Sequence, residues 1–131
     1  MRYLLNLFLA CLLALLGTSA AAAPLATQSS TVSGVTIKAT PTAVTGERWS
    51  FEIDLETHSG DLSDDLVKSA SLVADDGVAS SPLDWRGDPP GGHHRKGTLE
   101  FRAVEPPPPR IELKILRDGE PAPRVFRWQL R

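Results

Sequence analysis

The stretch Trp49-Ser50-Phe51-Glu52-Ile53-Asp54-Leu55-Glu56 decides the fold of this chain. Apolar and polar side chains alternate along it, and this period of two is typical of a strand with one buried face. The same alternation recurs in segments 35–39, 99–103, 111–115 and 125–130. The sequence therefore predicts β-strands along most of its length.

Turn-forming residues separate these strand-like segments. Asp75-Asp76-Gly77 and Asp118-Gly119 each lie between two such segments, and both predict a hairpin. The run 106–109 consists of prolines without N–H donors and predicts a stiff polyproline II connector. Residues 61–70 fit either a capped helical turn or an irregular loop with buried leucines.

About seven short strands with turns between them predict an all-β fold, an antiparallel β-sandwich of immunoglobulin-like architecture. A small closed barrel is the alternative. The predicted core consists of the large apolar side chains on the repeating faces, namely Trp49, Phe51, Ile53, Leu55, Leu72, Leu99, Phe101, Ile111, Leu113, Ile115, Phe126 and Trp128.

Residues 1–23 predict a cleaved secretory signal peptide. Arg2 supplies a positive charge, an apolar run follows over residues 3–16, and small residues at 21–23 offer the cleavage site. The run is shorter than the roughly 20 apolar residues of a membrane helix, so we expect no integral membrane span in the mature chain. We expect a secreted or periplasmic protein, with lipid anchoring at Cys11 as the alternative.

The remainder divides into two parts. Residues 24–33 are rich in Ser, Thr and Ala and predict a flexible lead-in, and residues 34–131 form the sandwich domain. Cys11 is the single cysteine and Met1 the single methionine. Disulfides, thiolate catalysis and sulfur ligation of copper are therefore excluded for the predicted domain.

The charge of the predicted mature chain is moderate but uneven. Without Arg2, 13 of the 14 basic residues remain against 16 acidic ones, so the chain lacks the basic footprint of a nucleic-acid-binding protein. Residues 47–88 are strongly acidic, whereas residues 89–131 are basic. This pattern predicts acidic and basic strands that lie against each other in one sandwich. A dipolar surface that steers a partner is the alternative.

The three histidines define the candidate site. His58 follows the predicted strand 48–56, and His93 and His94 precede the predicted strand 97–103. In an antiparallel pair the end of one strand lies beside the start of its neighbour. If these two strands pair, the three imidazoles meet at one end of the sandwich.

Imidazoles beside a carboxylate such as Asp61 predict a Zn(II) or Cu(II) site. Gly91 and Gly92 supply the backbone freedom that a close approach of two loops requires. The competing interpretation is structural, because adjacent residues on a strand point to opposite faces and loop histidines are often only solvated. Asp61 would then be a turn or capping residue.

Trp85 also supports two interpretations. It could anchor a partner at the end of the sandwich, or it could cover the core with its indole N–H bonded to a carbonyl. Ser59, His58 and Asp61 are the residue types of a catalytic triad, but no strand–turn–helix elbow surrounds the serine. We therefore expect a protein that is not an enzyme.

Two segments resemble an uncharacterised family of small exported bacterial proteins and lipoproteins. Residues 57–62 read T-H-S-x-D-L, and residues 85–101 read W-x-G-x-P-P-G-G-H-H-R-x-G-x-L-x-F. Together they span less than half of the mature chain. The resemblance implies an immunoglobulin-like sandwich and no established activity. Arg95, within the longer segment, joins Trp85 as a candidate binding residue.

The sequence thus predicts an exported, non-enzymatic binding or accessory module of unknown partner. The first hypothesis is a transition-metal site with His58 and either His93 or His94 as ligands. The alternative is a metal-free protein-interaction domain that uses Trp85 and the proline-rich loops. A small enzyme or an enzyme subunit is a third and less favoured hypothesis.

Overall fold

The computed structural model describes residues 25–131, so the predicted leader and Cys11 lie outside the described residues. Nine strands and one short helix follow one another along the chain. They are β1 (Gln28–Val32), β2 (Val35–Ala43), β3 (Arg48–Thr57), α1 (Leu66–Ser69), β4 (Ala70–Ala74), β5 (Ala79–Ser80), β6 (Asp84–Gly87), β7 (His94–Arg102), β8 (Arg110–Ile115) and β9 (Arg124–Gln129). No helix in this part of the chain is long and apolar enough to cross a membrane.

The strands form two antiparallel sheets that pack as a β-sandwich. One sheet has the order β1-β2-β3-β7-β6 and the other has the order β5-β4-β8-β9. The predicted all-β sandwich is therefore confirmed, with nine strands in place of about seven. The hairpins predicted at Asp75–Gly77 and Asp118–Gly119 connect β4 to β5 and β8 to β9. The additional strands are β1, which lies in the predicted lead-in, and β6, which lies in a segment for which no strand was predicted.

The core lies between the sheets, and the alternation seen in the sequence fills it. All twelve predicted core side chains are buried. Phe51 contacts Phe101 edge-on with ring centroids 5.6 Å apart, and it also contacts Trp128 across the sheets. Full burial of side chains of this size contributes roughly 1.5–3 kcal/mol each. The core also includes buried residues outside the predicted set, namely Val35, Ile37, Ala39, Leu62, Leu66 and Ala70.

The segment predicted as a flexible lead-in differs in the structure, because residues 28–32 form β1. The reason is tertiary. The Gln28 side chain accepts a hydrogen bond from the backbone N–H of Arg127 at 3.0 Å and also donates to the carbonyl of that residue. The indole of Trp128 donates to the carbonyl of Ala26 at 2.7 Å. This polar segment has no strong alternation of its own, and its contacts with β9 hold it in place as β1.

The ambiguous segment 61–70 combines both predicted conformations. Residues 61–65 are irregular, and the single helical turn α1 follows them. Its N-cap is Asp65, whose carboxylate accepts from the N–H groups of Val67 and Lys68. The cap of this turn is therefore Asp65 and not Asp61. Two leucines of the segment are fully buried, at Leu62 and Leu66, and they anchor it to the core.

The acidic and basic parts of the sequence form neighbouring strands in the sheet, so their charged side chains pair across the strands. The acidic strand β3 lies directly beside β7, with Asp54 opposite Lys96 and Glu56 opposite His94. The Nζ atom of Lys96 lies 3.4 Å from the Oε1 atom of Glu52. The structure thus matches the interpretation that acidic and basic strands lie against each other in one sandwich.

Candidate functional site

Two loops meet at one end of the sandwich, and we call them the paired loops (residues 58–65 and 88–93). They meet because β3 and β7 pair, so the end of β3 lies beside the start of β7. Backbone hydrogen bonds join them. Leu62 donates to the carbonyl of Gly92 at 3.0 Å, and Gly91 donates to the carbonyl of Leu62 at 2.9 Å. Gly91 and Gly92 have φ values of 116° and 75°, as the sequence predicted for this approach.

The buried side chain of Arg95 connects the two paired loops. It is 1% exposed, and its Nη1 atom donates to the carbonyls of Leu62 at 3.1 Å and Asp64 at 2.8 Å. Its Nη2 atom lies 3.4 Å from the carbonyl of Asp88, whereas its buried Nε has no partner. Burial lowers the pKa of the guanidinium, and the Asp64, Asp88 and Asp65 carboxylates act in the opposite direction. This predicted binding residue therefore binds the chain's own loops.

Trp85 lies on β6, half-buried against the core. Its indole N–H donates to the carbonyl of Asp88 at 2.9 Å, and the Cζ atom of Arg95 lies 5.4 Å from the centroid of its ring. A Cβ atom on Gly97 would lie 2.7 Å from the Trp85 ring, so glycine gives the ring its place over β7. These contacts match the structural interpretation of Trp85, with its N–H bonded to a carbonyl.

The remaining predicted loop residues lie on the surface of the same end. His58, Asp61 and His93 are all exposed. Asp61 lies beside Gly91, and the backbone carbonyl of His93 accepts from the N–H of Thr57 at 2.9 Å. The structure therefore brings the loops together through their backbones and leaves these three side chains exposed.

His94 belongs to a different cluster, on the outer face of the five-stranded sheet. Its Nε2 atom lies 2.9 Å from the Oδ1 atom of Asp54 and 3.9 Å from the Oε1 atom of Glu56. Over residues 25–131 this trio is the one group of three or more His, Asp or Glu side chains whose ligand atoms all lie within 4.8 Å of one another. Each residue offers one donor atom to an ion.

Sequence reasoning missed Asp54 and Glu56 because both read as the ordinary polar face of a strand. The sequence did indicate that these two carboxylates lie together, because residues two apart on a strand share a face. The register between β3 and β7 then decides that His94 stands opposite Glu56. That register was not predictable from the strand pattern alone.

A second layer of charged side chains supports this end of the molecule. The Nε atom of Arg117 donates to the buried carboxylate of Asp64 at 2.9 Å. Arg124 is also buried, and its guanidinium contacts both carboxylate oxygens of Glu120 and the backbone carbonyls of Ser30, Val32 and Val35. These two guanidinium groups thus connect the β1–β2 turn and the β8–β9 hairpin to the rest of the fold.

An apolar groove of about 670 Å³ lies at another part of the surface. Part of the proline-rich run forms one wall, since Pro107 and Pro108 line it. Its other apolar lining includes Leu25, Val44, Trp49 and Leu130. The groove is separate from the paired loops and from the His94 cluster.

No family model, curated protein or solved structure matches this chain. The fold and the site together define an antiparallel β-sandwich with an acidic and imidazole cluster on one sheet face. The resemblance of residues 57–62 and 85–101 to a family of exported proteins stays a prediction.

Proposed function

We propose that the protein is an exported, non-enzymatic binding module that holds a Zn(II) or Cu(II) ion. His94 supplies the nitrogen ligand, and Asp54 and Glu56 supply oxygen ligands. The single observation that supports this proposal is the convergence of the three donor atoms within 4.8 Å. Imidazole and carboxylate are donor types that both ions accept.

The spacing of the donors fits a shared ion with small side-chain adjustments. Ligand bonds of about 2 Å place two donors of a tetrahedral ion about 3 Å apart. The Nε2 atom of His94 and the Oδ1 atom of Asp54 are 2.9 Å apart. The Oε1 atom of Glu56 lies 3.9 Å from the Nε2 atom of His94 and needs to move closer. The strands below fix the backbones, so the adjustment is confined to rotatable side chains.

Thermal unfolding with Zn(II) or Cu(II) at neutral pH tests the proposal. Binding to the folded state alone stabilises it by about 2.7 kcal/mol when the free ion is at about 100 times its Kd. We expect a clear rise in Tm for the unmodified protein and no rise for His94→Ala. Each variant is compared with its own metal-free sample, because the substitution also removes the contact with Asp54.

His93→Ala and His58→Ala are the matched controls. Both residues are exposed, and both lie outside the cluster of three donors. We expect both variants to keep the metal-dependent rise in Tm. Loss of the metal-dependent rise in Tm in either control would instead favour a metal site on the paired loops, which the sequence predicted together with Asp61. Persistence of the rise in His94→Ala would contradict the proposed site.

The metal-free alternative is a protein-interaction domain that uses Trp85 and the proline-rich loops. The groove lined by Pro107 and Pro108 is the observation that favours it. Trp85 has its indole N–H bonded inside the chain, which leaves the ring's exposed part for a contact. Binding of neither ion, at any concentration that leaves the protein soluble, would favour this alternative.

A further inference from the structure

The two edges of the five-stranded sheet differ in how they are covered. At one edge, Arg124 donates to backbone carbonyls of β1, and the side chain of Gln28 bonds to β9. At the other edge, β6 pairs with β7 on one side, and the strand order ends with it. Leu83, directly before β6, is 45% exposed. The edge at β6 is therefore the more open of the two.

The backbone of β6 presents hydrogen-bonding groups to solvent. In an antiparallel pair, the N–H and C=O groups of alternate residues bond to the partner strand, and those of the others face away. The N–H of Asp88, directly after β6, donates to the carbonyl of Lys96 on β7 at 3.0 Å. The backbone groups of Gly87 and Trp85, which alternate with this position, therefore face away from β7. Gly87 has no side chain, so its exposure is that of its backbone.

The side chains on either side of Trp85 carry opposite charges. Trp85 packs against the core, so Asp84 and Arg86 project from the outer face of the sheet. The Asp84 side chain is 48% exposed and that of Arg86 is 64% exposed. Within the chain, the Nε atom of Arg86 lies 3.1 Å from the Oδ2 atom of Asp84. A guanidinium carries five N–H donors, so Arg86 can also bind a second carboxylate.

We propose that two copies of this chain associate edge to edge through β6, antiparallel and with the two-fold axis at Trp85. In this register the two Trp85 backbones bond to each other, and Asp84 of each copy lies opposite Arg86 of the other. Opposite charges stabilise such cross-strand pairs. The two-fold registers centred on Asp84 or on Arg86 place like charges opposite each other. The charges of β6 thus fit a second copy of the same strand and select one register.

The ends of β6 fit the same register. Leu83 of one copy lies opposite Gly87 of the other, and the missing side chain of Gly87 leaves room for the exposed leucine. The strand has only four residues, so it buries much less than the roughly 800 Å² per partner of a standard interface. The dimer therefore forms at high protein concentration, and it joins the five-stranded sheets of two copies into one.

Sedimentation equilibrium of the full chain, in a buffer that contains a metal chelator, tests the proposal. We expect a monomer–dimer equilibrium for the unmodified protein. Arg86→Asp or Asp84→Arg alone places like charges opposite each other. Each should weaken the dimer by about tenfold or more, because the two-fold axis repeats the change. The double variant with both substitutions restores the opposite charges and should dimerise like the unmodified protein.

Arg102→Asp is the matched control. It makes the same charge change as Arg86→Asp, at an exposed position on the adjacent strand β7. We expect it to leave the dimer unchanged. Thermal unfolding establishes that each variant is folded. Recovery of the dimer in the double variant excludes general damage to β6 as the cause of its loss in the single variants.

A monomer at every concentration up to about 1 mM would overturn the inference and would leave this edge to an extended segment of a different protein. A dimer that both single variants retain would contradict pairing through β6. A folded double variant that stays monomeric would contradict the register, and so would loss of the dimer in Arg102→Asp. The chelator keeps all of these results independent of the proposed metal site.

Discussion

At the scale of single residues, Arg95 shows how a polar side chain can organise a surface from inside. Its guanidinium bonds to backbone carbonyls on both paired loops. A buried cation without a paired carboxylate is expensive unless several acceptors surround it. The arrangement stabilises loop conformations that no apolar side chain could hold, because loops carry carbonyls that need donors.

Replacement of Arg95 tests this role. We expect Arg95→Met to lower the free energy of unfolding by about 3 kcal/mol or more, because the carbonyls of Leu62 and Asp64 lose their buried donor. Urea denaturation measures the change. Arg102→Ala is the matched control on the same strand, since Arg102 is exposed, and its effect should stay within about 0.5 kcal/mol. Equal effects of the two substitutions would contradict the role of Arg95.

At the scale of elements, pairs of charges across neighbouring strands stabilise both sheets. Glu112 on β8 stands opposite Arg127 on β9, and the Nε atom of Arg127 donates to the Oε1 atom of Glu112 at 2.7 Å. This hydrogen bond is the largest cause of a lowered pKa of Glu112. A carboxylate with a lowered pKa in the folded state stabilises the fold above its unfolded pKa. That contribution is lost as the pH falls through the folded pKa.

Acid titration of stability measures this contribution. We expect Glu112→Gln to flatten the decrease of the unfolding free energy as the pH falls from neutral through the glutamate range. Glu47→Gln removes the same charge at an exposed position and should leave the slope nearly unchanged. The pairing would be refuted if both variants followed the acid profile of the unmodified protein. The expected difference is small, because the Glu112 side chain is partly exposed.

At the scale of the whole molecule, the first described residues complete the sandwich. The guanidinium of Arg124 donates to the carbonyls of Ser30 and Val32 on β1, and Trp128 donates to the carbonyl of Ala26. Removal of these acceptors leaves a buried cation with fewer partners and exposes the edge of β9. The segment 25–33 is therefore part of the folded unit.

Truncation distinguishes this arrangement from a flexible lead-in. A chain that begins at Leu25 should unfold cooperatively with a normal Tm. For a chain that begins at Gly34, we expect the free energy of unfolding to fall by about 4 kcal/mol or more. That is a large part of the 5–15 kcal/mol stability of a typical domain. Calorimetry of the two chains provides the measurement. Equal Tm values would support the sequence-based prediction that this segment is a flexible lead-in.

Much of the fold could be predicted because local pattern and burial agree. The alternation from Trp49 to Glu56 has only one face that can enter a core, and the register of side chains along a strand follows from it. The hairpins at Asp75–Gly77 and Asp118–Gly119 were predictable because turn geometry selects those residues. β1 and β6 were not, because neither has an apolar alternation of its own and each forms against a neighbouring strand.

The sequence by itself determined the fold class, twelve of the core side chains and the end at which the histidine-bearing loops meet, because each follows from periodicity and antiparallel pairing. Only the tertiary structure decided which histidine meets carboxylates. The register of β3 against β7 places His94 opposite Glu56, while His58 and His93 stay on exposed loop positions. The tertiary structure also decided that the side chain of Arg95 is buried. The physical reason is that register and burial depend on contacts between residues far apart along the chain, which a local pattern does not encode.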